Sequence, residues 1–126
     1  YVTAAYTYVD ATIRNDQDRT LIGKPLSNVP RHAGSLFALK TVGRLGVGGG
    51  ITYVGTRAGD PFGTSYRLPA YTIARATLSY AVTPRLSVRA DVDNLFDTYY
   101  IASSYANVWT VPGAPRNVRV TLASRF

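Results

Sequence analysis

A chain of 126 residues with 46% hydrophobic and 17% charged content is about one domain long and too apolar for a disordered polyelectrolyte. With no cysteine and no methionine, disulfide frameworks, thiolate nucleophiles and cysteine metal sites are excluded. Fourteen Lys and Arg against seven acidic residues leave a formal charge of +7, which alone suggests nucleic acid or an anionic membrane surface as a partner.

The opening "YVTAAYTYVD" lacks the basic start and apolar core of a signal peptide, and the chain reads as a piece of something longer. Its alternation of apolar and polar residues predicts a first strand over Tyr1 to Ile13. A long polar connection, "RNDQDRTLIGKPLSNVP" from Arg14, leads to a second strand, Arg31 to Lys40. A tight turn around Val42 to Arg44 joins this to a third, Leu45 to Gly55. The second long connection, "TRAGDPFGTSYRLP" from Thr56, precedes a fourth strand, Ala70 to Ala81. After the short turn Val82 to Pro84 comes a fifth, Arg85 to Phe96. A third long connection, "DTYYIASSYANVWTVPGAP" from Asp97, ends at the sixth, Arg116 to Phe126. The expected fold is all-β, an antiparallel up-and-down meander of six long strands. Most match the roughly 9–11 residues that cross a bilayer at a tilt. Short turns at one end and long loops at the other form the asymmetry of a transmembrane barrel. No apolar run approaches the roughly 18 residues of a spanning helix, so a membrane reading rests on strands.

Strand parity sorts the charges. Leu86, Val88, Ala90 and Val92 share one face of the fifth strand, with Ser87, Arg89, Asp91 and Asp93 on the other. Val118, Val120, Leu122 and Phe126 likewise oppose Asn117, Arg119, Thr121 and Arg125. Arg75, Thr77 and Ser79 oppose Ala74, Ala76, Leu78 and Tyr80. On the second strand Lys40 is placed opposite Phe37 and Leu39, so that no interior charge falls on an apolar face. The cations then belong to a polar lumen or a solvated face. Spread over several strands, they offer no helix or aromatic-basic repeat to read bases. Tyr6, Tyr8, Tyr53, Tyr80 and Phe126 lie toward strand ends on apolar parity, as an interfacial girdle would; tyrosine also favours strands in general.

Other motifs have plain readings. Asp91 and Asp93 predict ion pairs across strands with Arg75, Arg89 and Arg119 rather than an acid/base pair. The lone His32 has no second ligand at metal spacing. "GVGGG" from Gly46 to Gly50 lacks the Lys-Ser/Thr and the helix of a phosphate loop, and fits close approach within a strand. No catalytic or metal residues are expected, and no enzyme.

"NLFDTYY" from Asn94, then "PGAPRNVRVTLASRF" from Pro112, resemble the end of TonB-dependent outer-membrane ferric-siderophore receptors. "GKPLSNVPRHAGSLFALKT", "GGGITYVGTRAGD" and "LPAYTIARATLSYAV" are similar to the strands preceding that end, so the resemblance covers nearly the whole chain. Arg75, where many relatives carry Asp, and Ser124, where an aromatic is common, depart from the pattern. The resemblance implies that residues 1–126 form the C-terminal portion of a barrel of roughly 22 strands around a plug, with the plug and earlier strands absent. In that frame the fifth strand reaches the outer surface near Asn94, where Asn94 and Asp97 bond backbone groups while Leu95 and Phe96 pack the rim.

It also implies transport of a ferric siderophore, with no covalent cofactor and no nucleic acid. The implied partners are outer-membrane lipid, the TonB energy-coupling complex reached through the missing plug, and the barrel-insertion machinery reached through the last strand and Phe126. Candidate ligand residues are Arg57, Tyr66 and Arg67 in the second long loop, and Tyr99, Tyr100, Tyr105 and Trp109 in the third. Forked guanidinium donors and aromatic surface suit an anionic iron chelate; the same residues also suit loop packing or headgroup anchoring. A small stand-alone β-barrel for binding or adhesion stays open as an alternative, and a basic nucleic-acid-binding barrel as a third.

Overall fold

A computed structural model describes residues 1–125; the readings made for Phe126 lie outside them. The strands are β1 (Val2–Tyr8), β2 (His32–Val42), β3 (Leu45–Val54), β4 (Arg57–Ala58), β5 (Arg67–Leu68), β6 (Tyr71–Thr83), β7 (Leu86–Asp93), β8 (Ile101–Ala106), β9 (Trp109–Pro112) and β10 (Asn117–Ser124). Six form one antiparallel sheet in the order β1-β2-β3-β6-β7-β10. These are the six expected strands, in an up-and-down order. The sheet is open, with β1 and β10 as its edges, whereas a small stand-alone barrel would pair those two strands.

Two of the expected boundaries move. β1 stops at Tyr8 rather than Ile13. The Val9 amide still bonds the Arg31 carbonyl, but Pro30, next on the partner segment, has no N–H with which to continue the ladder. β7 ends at Asp93 rather than Phe96 because Asn94 takes φ 50° and turns the chain. Phe96 is exposed and packs no rim, which corrects its expected place. At the opposite end the turns are short. Gly43, at φ 58°, occupies the first central position of a two-residue hairpin, where a type II′ turn needs glycine. The Thr83 hydroxyl accepts the amides of Arg85 at 3.2 Å and Leu86 at 3.0 Å, closing the turn at Pro84.

Pairing across the sheet fixes the two faces. One row joins Val2, Ala38, Gly49, Ala76, Val92 and Val118. The next row on the same face joins Leu36, Ile51 and Ala74. This face carries Val47, Leu78, Val120 and Leu122, all exposed, while the only buried hydrophobic residues among those described are Ala58 and Leu68. A sheet with so much apolar surface on one face and no core of its own is covered by something other than water. Tyr6, Tyr8 and Tyr53 stand at its loop end and Tyr80 at its turn end. Between Tyr53 and Leu45, which pairs with Tyr80, the strand rises roughly 26 Å. This is the scale of the roughly 25 Å apolar band of membrane barrels.

Lys40 corrects the face assignment. It pairs with Val47 and shares the apolar face with Leu36 and Ala38, whereas Phe37 and Leu39 face the polar side. Lys40 lies near the turn end of the strand, where a long stem lets an amine extend past apolar surface toward polar surroundings. On the polar face β3 presents Gly46, Gly48 and Gly50. A Cβ on Gly50 would meet the Phe37 ring at 2.9 Å, and one on Gly48 would meet Leu39 at 2.9 Å and Thr77 at 2.8 Å. The glycine run is therefore a trough that holds its neighbours' side chains, as close approach within a strand requires.

Over that trough Arg75 lies 4.5 Å from the centre of the Phe37 ring. Asp91 accepts from Arg89 Nε at 2.9 Å along its own strand and from Thr77 Oγ1 at 2.7 Å across the sheet. Arg119 is opposite Asp91 in register without an ion pair among the described residues. The expected cross-strand ion pairs of Asp91 and Asp93 are thus replaced by one pair within β7 and a threonine bond.

Candidate functional site

The loops at one end of the sheet hold the buried polar residues among those described, namely Arg57, Asp60, Asn94 and Ser104. The first loop folds on itself, with Ile13 bonding Lys24 and Leu26 bonding Ala11 through the backbone. Asp18 accepts from the Thr20 amide at 2.9 Å and its hydroxyl at 2.7 Å to cap a short turn, Arg19–Leu21. Asn28, at φ 60°, ties this loop to the other two. Its amide bonds both the carbonyl and the N–H of Ser104 at 2.8 Å, and its own N–H bonds the Ala58 carbonyl at 2.8 Å.

In the second loop β4 and β5 form a small ribbon. Asp60 organises the tip, accepting the Phe62 amide at 2.8 Å and the Thr64 hydroxyl. The Thr64 hydroxyl and the neighbouring amides hold the Asp60 carboxyl below the usual value near 3.8, against the opposing effect of burial. A carboxylate with a depressed folded value stabilises the tip at neutral pH and loses that contribution as pH falls through the depressed value. Asp60→Asn in the full-length protein is therefore expected to speed proteolysis between residues 61 and 66 at pH 7. The wild-type tip should stay resistant at pH 5 and loosen only below the ordinary carboxylate range; equal cleavage of both proteins at pH 7 would remove Asp60 from this role.

The third loop begins where "NLFDTYY" starts. Asn94, 4% exposed, accepts the Thr98 amide at 2.9 Å and donates to the Thr98 carbonyl at 2.9 Å and the Ala114 carbonyl at 3.1 Å. Asp97, at φ 52°, accepts the Arg116 amide at 2.8 Å. Both residues act on backbone groups as the sequence indicates. Tyr100 turns inward, its ring covering Gly113, where any Cβ would collide with it, and packing 4.4 Å from Tyr71.

The seven candidate ligand residues separate into groups. Arg57 is 2% exposed. It donates to the Ile101 and Ala102 carbonyls and lies 5.4 Å from the Tyr71 ring, so it binds the second loop to the third. Tyr100 supports the same junction. Tyr66 packs over Gly59 and lines a cleft of about 430 Å³ between the second and third loops, shared with Asp60, Phe62 and Asn107. Tyr105, 60% exposed, stands edge-on to Phe62 at 5.5 Å beside that cleft. Trp109, 70% exposed, and Tyr99, 79% exposed, present free aromatic faces. Arg67 borders a different cavity, with His32 and Tyr53 of the apolar face. Asn28 and Ser104 were invisible as partners in the sequence. Their only signal is that Asn tolerates a positive φ, and nothing local points 76 residues ahead to Ser104.

The TonB dependent receptor-like, beta-barrel family matches residues 1–95. The metal-pseudopaline receptor of Pseudomonas aeruginosa is 38% identical over 97% of this chain and 18% of its own length. The ferrichrome outer membrane transporter/phage receptor of Escherichia coli K12 is 34% identical over 99% of this chain and 18% of its own. The solved closed form of the ferric-catecholate import receptor Fiu of E. coli K12 superimposes with a TM-score of 0.83 at 32% identity, over 99% of this chain and 18% of that one. The chain thus spans less than a fifth of the length of these relatives.

Proposed function

This chain belongs to the TonB-dependent receptor β-barrel family, and from that membership we propose that it is the closing part of an outer-membrane barrel that imports a ferric siderophore. The observation that carries the reading is a sheet with one exposed apolar side and three long loops knitted at one end, in a family whose matched relatives include a metal-pseudopaline receptor and a ferrichrome outer membrane transporter/phage receptor. The apolar face meets outer-membrane lipid and the glycine trough with its arginines faces the lumen. The preceding part of the protein supplies the plug, through which the TonB complex delivers energy, and the last strand is the part read by the insertion machinery. Nothing in this role calls for a covalent cofactor or for catalysis.

Ligand contact falls to the exposed aromatics Tyr99, Tyr105 and Trp109, with Tyr66 in the cleft beside them. Arg57 and Tyr100 set the loops from within. An aromatic anchor covers much ligand surface while losing little rotamer entropy. Trp109→Ala in the full-length receptor is expected to weaken siderophore binding by roughly 30-fold, about 2 kcal/mol, with the barrel still inserted and heat-resistant. Isothermal titration checks this. Wild-type affinity with an intact barrel would make Trp109 a headgroup anchor and move recognition to the plug and the other loops.

A further inference from the structure

We propose that the outer rim of this segment carries a phosphate-binding site for a lipid headgroup, built by Arg31, Arg67 and His32 at the junction of β2 with the second loop. A cavity of about 390 Å³ opens there, walled by these three residues together with Tyr53, Thr56 and Arg57. Three arginines border it and, among the described residues, no acidic residue does.

Arg31 also meets Asp10, at 3.4 Å, but both side chains are more than half exposed. Such a pair holds little energy and leaves most of the guanidinium donors available. Arg57 adds fixed positive charge in the wall, and its buried Nη1 has no partner among the described residues. His32 is oriented from below. Its Nδ1 lies 2.7 Å from the Tyr6 hydroxyl and its ring 5.2 Å from that of Tyr8. With the phenol donating to Nδ1, the ring proton sits on Nε2, ready to be given to an anion.

Location decides the ligand. His32 pairs with Tyr8, and Gly34, next on the same face, pairs with Tyr6 and Tyr53. The cavity therefore lies at the tyrosine level of the membrane-facing side, at the loop end, where lipid headgroups sit. Arginine forks match the oxygens of a phosphate two at a time, and each cation near a charged membrane surface adds about fivefold to association. The site stands on the membrane orientation of the sheet and is independent of which chelate the receptor takes.

The test uses the full-length receptor in phosphatidylcholine vesicles holding a trace of spin-labelled phosphatidic acid or spin-labelled phosphatidylcholine, with the immobilised fraction read by electron paramagnetic resonance. The wild type should immobilise phosphatidic acid in preference to phosphatidylcholine. Arg31→Gln/Arg67→Gln should reduce that preference by about fivefold or more. Arg119→Gln, which removes a positive charge from the lumen face instead, should retain it. If the double variant does not insert, Arg67→Gln alone, the one exposed residue of its ribbon, should show a smaller fall in an inserted barrel. Equal preference in wild type and inserted variants would overturn the site. Loss of the wild-type preference on adding millimolar inorganic phosphate would assign the cavity to free phosphate and overturn the lipid assignment.

Discussion

Val118→Arg in the full-length receptor should lower the free energy of folding into lipid vesicles by about 2–4 kcal/mol, whereas Arg119→Gln, one residue away, should leave it nearly unchanged. Val118 lies on β10 opposite Val92 and points the same way as Val120 and Leu122, with its side chain exposed on the apolar face. Its row runs through Ala76, Gly49 and Ala38, midway between the rows of Tyr53 and Tyr80, so a guanidinium there enters the hydrocarbon too far from either tyrosine level for its head to reach the interface. Arg119 faces Asp91 and the polar trough, where Gln exchanges one polar group for another. Lys40 does not conflict with this order, because it sits one row nearer the short turns, where a long amine can snorkel. Urea titrations of folding into vesicles measure both variants; a larger loss from Arg119→Gln than from Val118→Arg would show that the faces are reversed.

Asn94→Ala should raise hydrogen-exchange rates across Thr98 and the β8–β9 ribbon by roughly 30-fold or more, an opening easier by about 2 kcal/mol. The asparagine is buried, and its amide serves both polar groups of Thr98 and the carbonyl of Ala114. Alanine leaves all three without a partner. It also adds strain, since Asn94 sits at φ 50°, a conformation that a Cβ disfavours and asparagine tolerates. The effect should stay within the third loop, because the Val92 and Val118 pair below it belongs to the sheet ladder. Exchange measured by mass spectrometry reports each segment separately. Unchanged rates over residues 98–112 would mean that the loop is held by Arg57 and Asn28 instead.

The sheet was legible in the sequence because alternation is written into every strand, and the turns carry their own chemistry in Gly43 and Pro84. β2 defeated that reading. Phe37 and Leu39 are apolar yet face the polar side, and only the glycines of β3 opposite them reveal why, since Gly48 and Gly50 leave the space those side chains fill. Alternation on one strand cannot report what the neighbouring strand lacks. The loop chemistry divides the same way. Asn94 and Asp97 act on backbone within a few residues or across a single loop, so their turn-forming character was visible. Arg57 binds carbonyls more than forty residues on, and Asn28 reaches Ser104. Contacts set by tertiary folding leave no local mark, which is why Arg57 reads as a ligand residue in the sequence and lies enclosed in the fold.

The orientation of β10 in the bilayer tests the central claim most directly. This chain has no cysteine of its own, so single cysteines placed in turn at positions 117 to 124 of the full-length receptor, with any cysteine elsewhere removed, can each carry one spin label in lipid vesicles. The expected profile has period two, with labels at 118, 120 and 122 relaxed by oxygen dissolved in the hydrocarbon and those at 117, 119 and 121 relaxed by a water-soluble nickel chelate. A profile with the two sets exchanged, or with every position open to the water-soluble reagent, would contradict a membrane-facing sheet.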